Sequence, residues 1–343
     1  MAGIDRGTAG AAAQRLSIEE TLLRVALLAR YGRAARGIAQ RLAAVCAPGE
    51  ARSCFEAGAP LQLAIDAPGS AELRVGLRLG GRLDPERLRE VVSERTLDHL
   101  ADFLEPLPAD RHESLGAWLY WTPEQPAVFV DLRDPDPRVA LGRLERVLGA
   151  RRRARLEEVR PALGLARPWG LRVAAGDAGV ERVDVYWLLA RHSSPASLIE
   201  ASVPGGWAQV CELLGHLLRR PAVAGRWTVS TSLEDGGSAR LRVGNSGWTL
   251  VPEDERKHRA VGRLVSALGG PRDYAEALWS LCRGIAAPDW RVGRSCEIEL
   301  GETELRARLF LTPDVHVGAA AITSNSATSA TSAAPRTGLP SSP

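Results

Sequence analysis

The sequence predicts an α+β protein in which ten antiparallel strands, arranged as five hairpins, close into a barrel inside an outer ring of helices. Short segments that alternate apolar and polar residues occur in pairs joined by turn residues, which indicates hairpins. Between the pairs, apolar residues recur at spacings of three and four, as in amphipathic helices. The same order of elements returns roughly every 60 residues. Ten such strands with all helical connections on one side are expected to curl and close, since closure removes exposed edges.

The paired strands are read from alternation that ends at turn residues. They are SCFEAGAPLQLAID with AELRVGLRLGG, GAWLYWT with AVFVDLRD, GLRVAAG with VERVDVYWLLA, RWTVSTSLE with SARLRVGN, and SCEIELG with TELRARLFLTP. Because hairpin connections make neighbouring strands antiparallel, the pattern excludes the parallel sheet of a βαβ protein.

Helical segments separate the hairpins. The first is predicted from Ser17, an N-cap followed by two glutamates in the first turn, to about Ala44. The second begins at Asp84 as N-cap, with Pro85 at the first helical position, and covers DPERLREVVSERTLDHLADFLE. The remaining helices are predicted at 137–149, 151–163, 196–219 with an interruption at Pro204–Gly206, 253–268 and 272–285.

Composition divides the chain into one folded domain with two loose ends. Residues 317–343 form a Ser/Thr/Ala/Pro-rich tail that buries too little apolar surface to offset its ordering entropy, so we expect it to be disordered. Residues 1–15 are expected to be disordered as well. The barrel domain is then predicted to span 16–316.

Overall composition favours a cytoplasmic globular protein. The chain is 45% hydrophobic and 25% charged, with a net charge of +3, which differs from the strong basic excess of many nucleic-acid-binding domains. Its five cysteines show no CxxC spacing and are interpreted as buried thiols, neither a disulfide framework nor a zinc site. No run of about 18 uncharged apolar residues is present, so no membrane span is expected.

Arginines recur on the polar faces of the strands. In SARLRVGN, for example, Arg240 and Arg242 share one face while Leu241 and Val243 share the other. An open sheet with this polar face in water would give the same alternation, whereas a closed barrel would place the arginines in its lumen. In a lumen they could converge on an anion, because the guanidinium fork suits phosphate oxygens. No phosphate-binding glycine loop is present as an alternative.

These features together resemble the ABBA-type aromatic prenyltransferases, including their indole and cyanobactin-peptide branches. The resemblance covers about residues 17–315 and rests on the antiparallel α-β-β-α repeats and the basic residues of the second strands. It implies a prenyltransferase (PT) barrel that binds an allylic diphosphate, dimethylallyl or geranyl, in its lumen. It also implies transfer of the prenyl group to an electron-rich aromatic acceptor (indole, tyrosine, peptide or phenol), as in secondary metabolism.

The resemblance assigns roles to particular residues. Glu56 corresponds to the carboxylate that takes the acceptor's proton. The residues implied to bind diphosphate are Arg74, Arg78, Arg240, Arg242, Arg306 and Arg308, and those implied to shield the carbocation are Tyr186, Tyr120, Phe129 and Phe310.

Two residues depart from the family pattern. Asp184 stands where relatives carry lysine, and Gly244 stands where they carry a shielding tyrosine. A carboxylate beside diphosphate would repel it, so Asp184 is expected to pair with Arg182 or Arg240. Gly244 makes the aromatic shield thinner than in relatives.

The resemblance implies a monomer that requires no cofactor and has no metal site, with Mg²⁺ entering only alongside the diphosphate. No nucleic-acid or membrane partner is expected. One alternative is a diverged, non-catalytic barrel that binds a small anionic or amphipathic ligand. Another is an exposed arginine face for RNA or an acidic partner, which is disfavoured because few aromatic residues interleave the arginines.

Overall fold

The computed structural model describes residues 16–46, 60–80, 85–104, 117–122, 125–132, 134, 136–164, 166–190, 193–215, 227–233, 241–245, 256–284, 293–300 and 305–313. The two terminal segments predicted to be disordered, 1–15 and 317–343, lie outside these residues. Glu56, Arg240 and Cys54 lie outside them as well.

Ten antiparallel strands form one closed barrel. The strands are β1 (Leu61–Ala67), β2 (Val75–Gly80), β3 (Ala117–Trp121), β4 (Ala127–Asp131), β5 (Arg167–Gly176), β6 (Gly179–Leu188), β7 (Trp227–Ser232), β8 (Leu241–Asn245), β9 (Gly293–Leu300) and β10 (Leu305–Thr312). Each strand pairs with its neighbours in chain order, and β1 closes the barrel against β10, with Leu63 opposite Leu311. The predicted barrel is confirmed, and the open sheet is wrong.

Helices lie between the hairpins in the predicted order. They are α1 (Ile18–Leu28), α2 (Ala35–Val45), α3 (Pro85–Leu88), α4 (Glu94–Leu104), α5 (Pro137–Val147), α6 (Ala150–Leu163), α7 (Ala196–Ser202), α8 (Gly206–Gly215), α9 (Arg256–Ala267) and α10 (Arg272–Gly284). None of these described helices is long and apolar enough to span a bilayer.

Two helices predicted as continuous are each divided in two. The helix that starts at the Ser17 cap ends at Leu28, because Arg30 adopts a left-handed conformation (φ 63°) before a short 3₁₀ turn over Gly32–Ala34. The helix predicted from Asp84 stops at Leu88 and restarts at Glu94. There the Ser93 hydroxyl accepts a hydrogen bond from the Thr96 amide at 3.2 Å, so Ser93 acts as a new N-cap.

The strand faces separate the molecule into an outer core and a lumen. Outward residues such as Val185, Val243 and Ile298 are buried in one hydrophobic cluster with residues of the helices. This cluster also holds Cys46, Cys282 and Cys296, as predicted for buried thiols, whereas Cys211 is only partly buried. Burial raises the pKa of the Cys46 thiol to about 12. The polar strand faces therefore point inward and line the lumen.

Candidate active site

Arg242 of β8 joins two carboxylates from other strands inside the lumen. Its Nη1 donates to Asp184 Oδ2 at 2.9 Å, and its Nε donates to Glu299 Oε2 at 2.8 Å. Arg182 Nε donates to the second oxygen of Asp184 at 2.8 Å. Burial by itself would raise the pKa of Asp184, but Arg242 and Arg182 lower it below its ordinary value. The carboxylate at the family's lysine position is thus neutralised by Arg182, as predicted, and also by Arg242.

A second ion-paired group lies where β1 meets β10. Arg308 donates from Nε and Nη2 to the two oxygens of Asp66, at 2.5 and 2.7 Å, which is the fork-to-fork geometry of strong guanidinium–carboxylate pairs. Arg74 approaches the same carboxylate with Nη1 3.3 Å from Oδ2, and its Nη2 donates to Glu72 at 2.7 Å. Burial opposes ionisation of Asp66, yet Arg308 and Arg74 hold its pKa below the ordinary value. Two predicted anion-binding arginines therefore share one lumen carboxylate.

Arg172 of β5 is a lumen arginine that the sequence prediction omitted. It lies between Phe129 of β4 and Asp184 of β6 in the strand register. Its guanidinium stands over the Tyr120 ring at 5.7 Å, and its buried Nε makes no hydrogen bond to any described group. Burial, Arg308 and Arg242 lower the pKa of Arg172, although an arginine stays charged at neutral pH. Arg172 thus carries a positive charge without an ion pair to a described carboxylate.

Five aromatic side chains form a contiguous wall in the lumen, beside the arginines. Phe129 is central, with ring centroids 5.3 Å from Trp169, 5.4 Å from Tyr186 and 6.5 Å from Tyr120. Tyr120 lies 6.0 Å from Phe310, and Trp169 lies 5.9 Å from Tyr186, mostly in edge-to-face contacts. Burial and Glu297 raise the pKa of Tyr186 to about 12, so its hydroxyl stays protonated. The four predicted shield residues therefore come together with Trp169.

Trp169 enters this wall because of a β-bulge. Regular alternation would put Trp169 on the outer face with Leu171, but the β5–β6 register shifts between Pro168 and Gly170. Such a bulge inserts an unpaired residue and redirects its side chain. The strand predicted from the sequence, GLRVAAG, begins at Gly170 and therefore does not include Trp169.

Gly170 makes room for the centre of the aromatic wall. A Cβ at this position would overlap the outer edge of the Phe129 ring. We expect Gly170→Ala to lower the free energy of unfolding by about 1–3 kcal/mol, because Phe129 must leave its place. Urea denaturation measures the change. Gly142→Ala on α5 is the control, because its Cβ meets no atom within 4 Å. It is expected to stabilise the protein by up to about 1 kcal/mol. Equal effects of the two substitutions would contradict the prediction.

The remaining predicted residues take different positions. Arg78 is fully buried where β2 faces Trp118 of β3. Arg306 is exposed near the start of β10, opposite Glu299. Glu56 and Arg240 lie outside the described residues, so their predicted roles remain predictions.

Gly244, the second departure from the family pattern, lies beside polar side chains of the lumen. Gly244 of β8 lies directly opposite Glu297 of β9, and a Cβ at Gly244 would meet the Thr228 hydroxyl. The position of the family's tyrosine is thus bordered by a hydroxyl and a carboxylate. The sequence analysis assigns no role to Thr228 or Glu297.

Solved structures with the same architecture are aromatic prenyltransferases. One is 6-dimethylallyltryptophan synthase from Micromonospora olivasterospora in complex with DMASPP and Trp, with 16% identity and a TM-score of 0.64 over 87% of this chain and 97% of that one. Another is 5-dimethylallyl tryptophan synthase from Streptomyces coelicolor, also with DMASPP and Trp, with 15% identity and a TM-score of 0.62 over 89% and 99%. A third is the binary complex of PriB with product diphosphate, with 15% identity and a TM-score of 0.64 over 87% and 98%.

No protein-family model matches the sequence, and no curated protein matches it significantly. Because the solved structures above share its architecture, the closed barrel of five hairpins with outer helices is a prenyltransferase barrel. More particularly, it is the fold of the ABBA-type aromatic prenyltransferases, in a chain of strongly diverged sequence, as the resemblance implied.

Proposed function

We propose that this protein transfers a prenyl group from an allylic diphosphate to an electron-rich aromatic acceptor inside the barrel. The observation that carries the proposal is a lumen that holds arginines next to a wall of aromatic rings. One of these arginines, Arg172, has no ion pair to a described carboxylate. The protein shares its fold with prenyltransferases that were crystallised with diphosphate or its analogue, and this similarity supports the proposed prenyl transfer.

The arginines are suited to the leaving group. When the allylic C–O bond breaks, its electron pair stays on diphosphate, and preorganised donors stabilise that growing charge. Arg172 supplies one guanidinium. Arg242 and Arg308 keep one terminal nitrogen each, Nη2 and Nη1, outside their hydrogen bonds with Glu299, Asp184 and Asp66. Diphosphate would thus bind to an arginine group whose charges are partly balanced by protein carboxylates, with Arg74 at its edge.

The aromatic wall is suited to the cation that remains. Faces of electron-rich rings stabilise a positive charge by about 0.5–2 kcal/mol each and exclude water that would otherwise capture it. Tyr120, Phe129, Trp169, Tyr186 and Phe310 provide these faces. The ring carbon of the acceptor would attack the cation, and Glu56 is proposed to take the displaced ring proton.

An assay with the purified full chain tests the proposal. Dimethylallyl and geranyl diphosphate are supplied with indole, tyrosine and phenol acceptors, with and without Mg²⁺, and products are followed by mass spectrometry. We expect a prenylated product whose mass gain equals one prenyl group, and a rise in melting temperature with diphosphate. The absence of both would overturn the proposal.

The alternative of a diverged, non-catalytic barrel has its own supporting observation. Arg242 and Arg308 are both ion-paired to lumen carboxylates, and the shielding tyrosine is replaced by Gly244. Such a lumen would bind a diphosphate ligand, but it would stabilise the carbocation formed by ionisation of an allylic donor less well. Diphosphate binding with no product under any acceptor condition would support this alternative.

A further inference from the structure

A groove on the outside of the barrel lies between α2, the turn that joins α3 to α4, and the end of β3. The apolar residues that line it include Ile38, Leu42, Val91 and Trp121. Ile38, Val91 and Trp121 pack against the outer core, so the groove is separate from the lumen. Its volume of about 290 Å³ is just below the range of about 300–1,000 Å³ for drug-sized ligands, so it suits a smaller molecule.

Hydrogen bonds hold the apolar floor of the groove in place. Trp121 Nε1 donates to the Val91 carbonyl at 3.2 Å, which fixes the indole ring beside the α3–α4 connection. The amides of Val91 and Val92 donate to the Leu88 carbonyl at 3.0 and 2.9 Å, which fixes the connection itself. Trp121, Val91 and Ile38 are only partly buried, so apolar surface remains open in the groove. A ligand that covered this surface would gain hydrophobic free energy without first ordering the chain.

Two exposed arginines border this apolar floor. Arg41 of α2 forms no ion pair with any residue that the structure describes, and Arg89 lies with Nη2 4.0 Å from Oε1 of exposed Glu94. An ion pair this long and this exposed contributes little to stability, so Arg89 is able to turn to a ligand. Exposed Glu90 also lines the groove and repels an anion more strongly as the negative charge of that anion grows. These charges favour a monoanion over a phosphate dianion.

We propose that this groove binds a small monocarboxylate whose body is one aromatic ring on a short linker. The carboxylate would accept hydrogen bonds from Arg41 and Arg89, and the ring would lie against Trp121. A neutral ligand would leave both guanidinium groups unused, and a carboxylate without an apolar body would gain little from exposed arginines alone. The inference goes beyond the proposed function, because the groove lies outside the lumen and takes part in no step of prenyl transfer.

Calorimetric titration of the full chain without any prenyl donor tests this inference. The probes are 4-phenylbutyrate, its neutral isostere 4-phenylbutanamide, and acetate, which has the head group without the ring. We expect the wild-type protein to bind 4-phenylbutyrate about fivefold to twentyfold more tightly than the amide, as two exposed ion pairs allow, and to bind acetate far more weakly. The preference for the acid is expected to shrink at high salt, because exposed charges are screened.

Variants of the two arginines locate the site. Arg41→Gln and Arg89→Gln are each expected to reduce the preference about twofold to fivefold, and the double variant is expected to abolish it. Arg36→Gln removes an exposed charge of α2 that does not line the groove, and Arg172→Gln removes a charge of the lumen. Both of these controls are expected to keep the preference. Melting temperatures establish that each variant is folded, and the single variants decide the matter if the double variant is not.

The inference is overturned if 4-phenylbutyrate does not bind, if the wild-type protein binds the acid and the amide equally, or if the arginine variants keep the full preference. Loss of the preference in Arg172→Gln would place the ligand in the lumen and would overturn the inference as well. Acetate binding as tight as that of 4-phenylbutyrate would contradict the contact with Trp121. Because no prenyl donor is present, a failed transfer assay would overturn the proposed function and leave this result standing.

Discussion

Replacing Arg242 with Gln is expected to lower the free energy of unfolding by about 3–5 kcal/mol, the cost of removing one partner from a buried ion pair. The Arg242 side chain is only 6% exposed, so solvent does little to screen the loss. Asp184 would retain Arg182, whereas Glu299 would lose its 2.8 Å hydrogen bond from Arg242 Nε. Equilibrium urea denaturation of the variant and the wild type measures the difference.

The pH dependence of this loss gives a second, independent readout. In the wild type, Arg242 and Arg182 hold the pKa of Asp184 low in the folded protein, against the opposing effect of burial. Its stabilising contribution is therefore present above the unfolded-state value of about 3.9, and it is lost as the pH falls through the lower folded-state value. Without Arg242 the pKa of Asp184 rises, so the variant loses less stability on acidification. We expect the stability gap between the two proteins to stay nearly constant from about pH 7 to about pH 5 and to narrow as the pH falls through about 4 towards the lower folded-state pKa of Asp184.

Two variants control for the loss of charge and of side-chain volume. Arg242→Lys keeps the charge but not the fork geometry, and is expected to fall between the wild type and Arg242→Gln. Arg263→Gln removes an arginine from the exposed surface of α9 and is expected to change stability by less than about 0.5 kcal/mol. A loss below about 1 kcal/mol for Arg242→Gln, or a gap that widens in acid, would show that the ion pairs do not stabilise the barrel.

The faces of the strands could be predicted because alternation is a local property. Val243 and Arg242 are assigned to opposite faces by their neighbours in the sequence alone, and the structure places them there. Barrel closure followed from the number of antiparallel strands and the side of the helical connections. The helix divisions at Arg30 and Ser93 were missed because apolar spacing continues across both turns.

The partners of the lumen charges could not be predicted, because they depend on register between distant segments. Asp66 and Arg308 are 242 residues apart and meet only when β1 closes against β10. The inward position of Trp169 depends on a β-bulge, and the alternation of apolar and polar residues does not indicate where a bulge occurs. Arg172, in contrast, had a readable signal, since it alternates with Leu171 and Val173 in the same pattern as the arginines that were selected.

Replacing Arg172 with Gln is expected to weaken the binding of inorganic diphosphate about tenfold to a hundredfold, the equivalent of one charge-assisted hydrogen bond. The reason is that Arg172 makes no ion pair with a described carboxylate, so its charge is available to an anionic ligand. If the donor ionises in this lumen, kcat for prenyl transfer is expected to fall about a hundredfold to a thousandfold, as when one preorganised donor is removed from a developing anion. Calorimetry gives the affinity, and product formation under saturating donor gives kcat.

Stability separates this binding role from a structural one. A buried cation without an ion pair costs free energy, so Arg172→Gln is expected to leave the free energy of unfolding unchanged or to raise it, after allowing about 1 kcal/mol for the lost contact with the Tyr120 ring. Arg167→Gln, at an exposed position of the same strand, should leave both affinity and stability unchanged. A variant at Arg172 that keeps full diphosphate affinity would place the anion elsewhere in the lumen. A variant that unfolds easily would mean that Arg172 supports the barrel itself. A ligand-binding role for Arg172 therefore requires that Arg172→Gln bind diphosphate more weakly while its free energy of unfolding is not lowered.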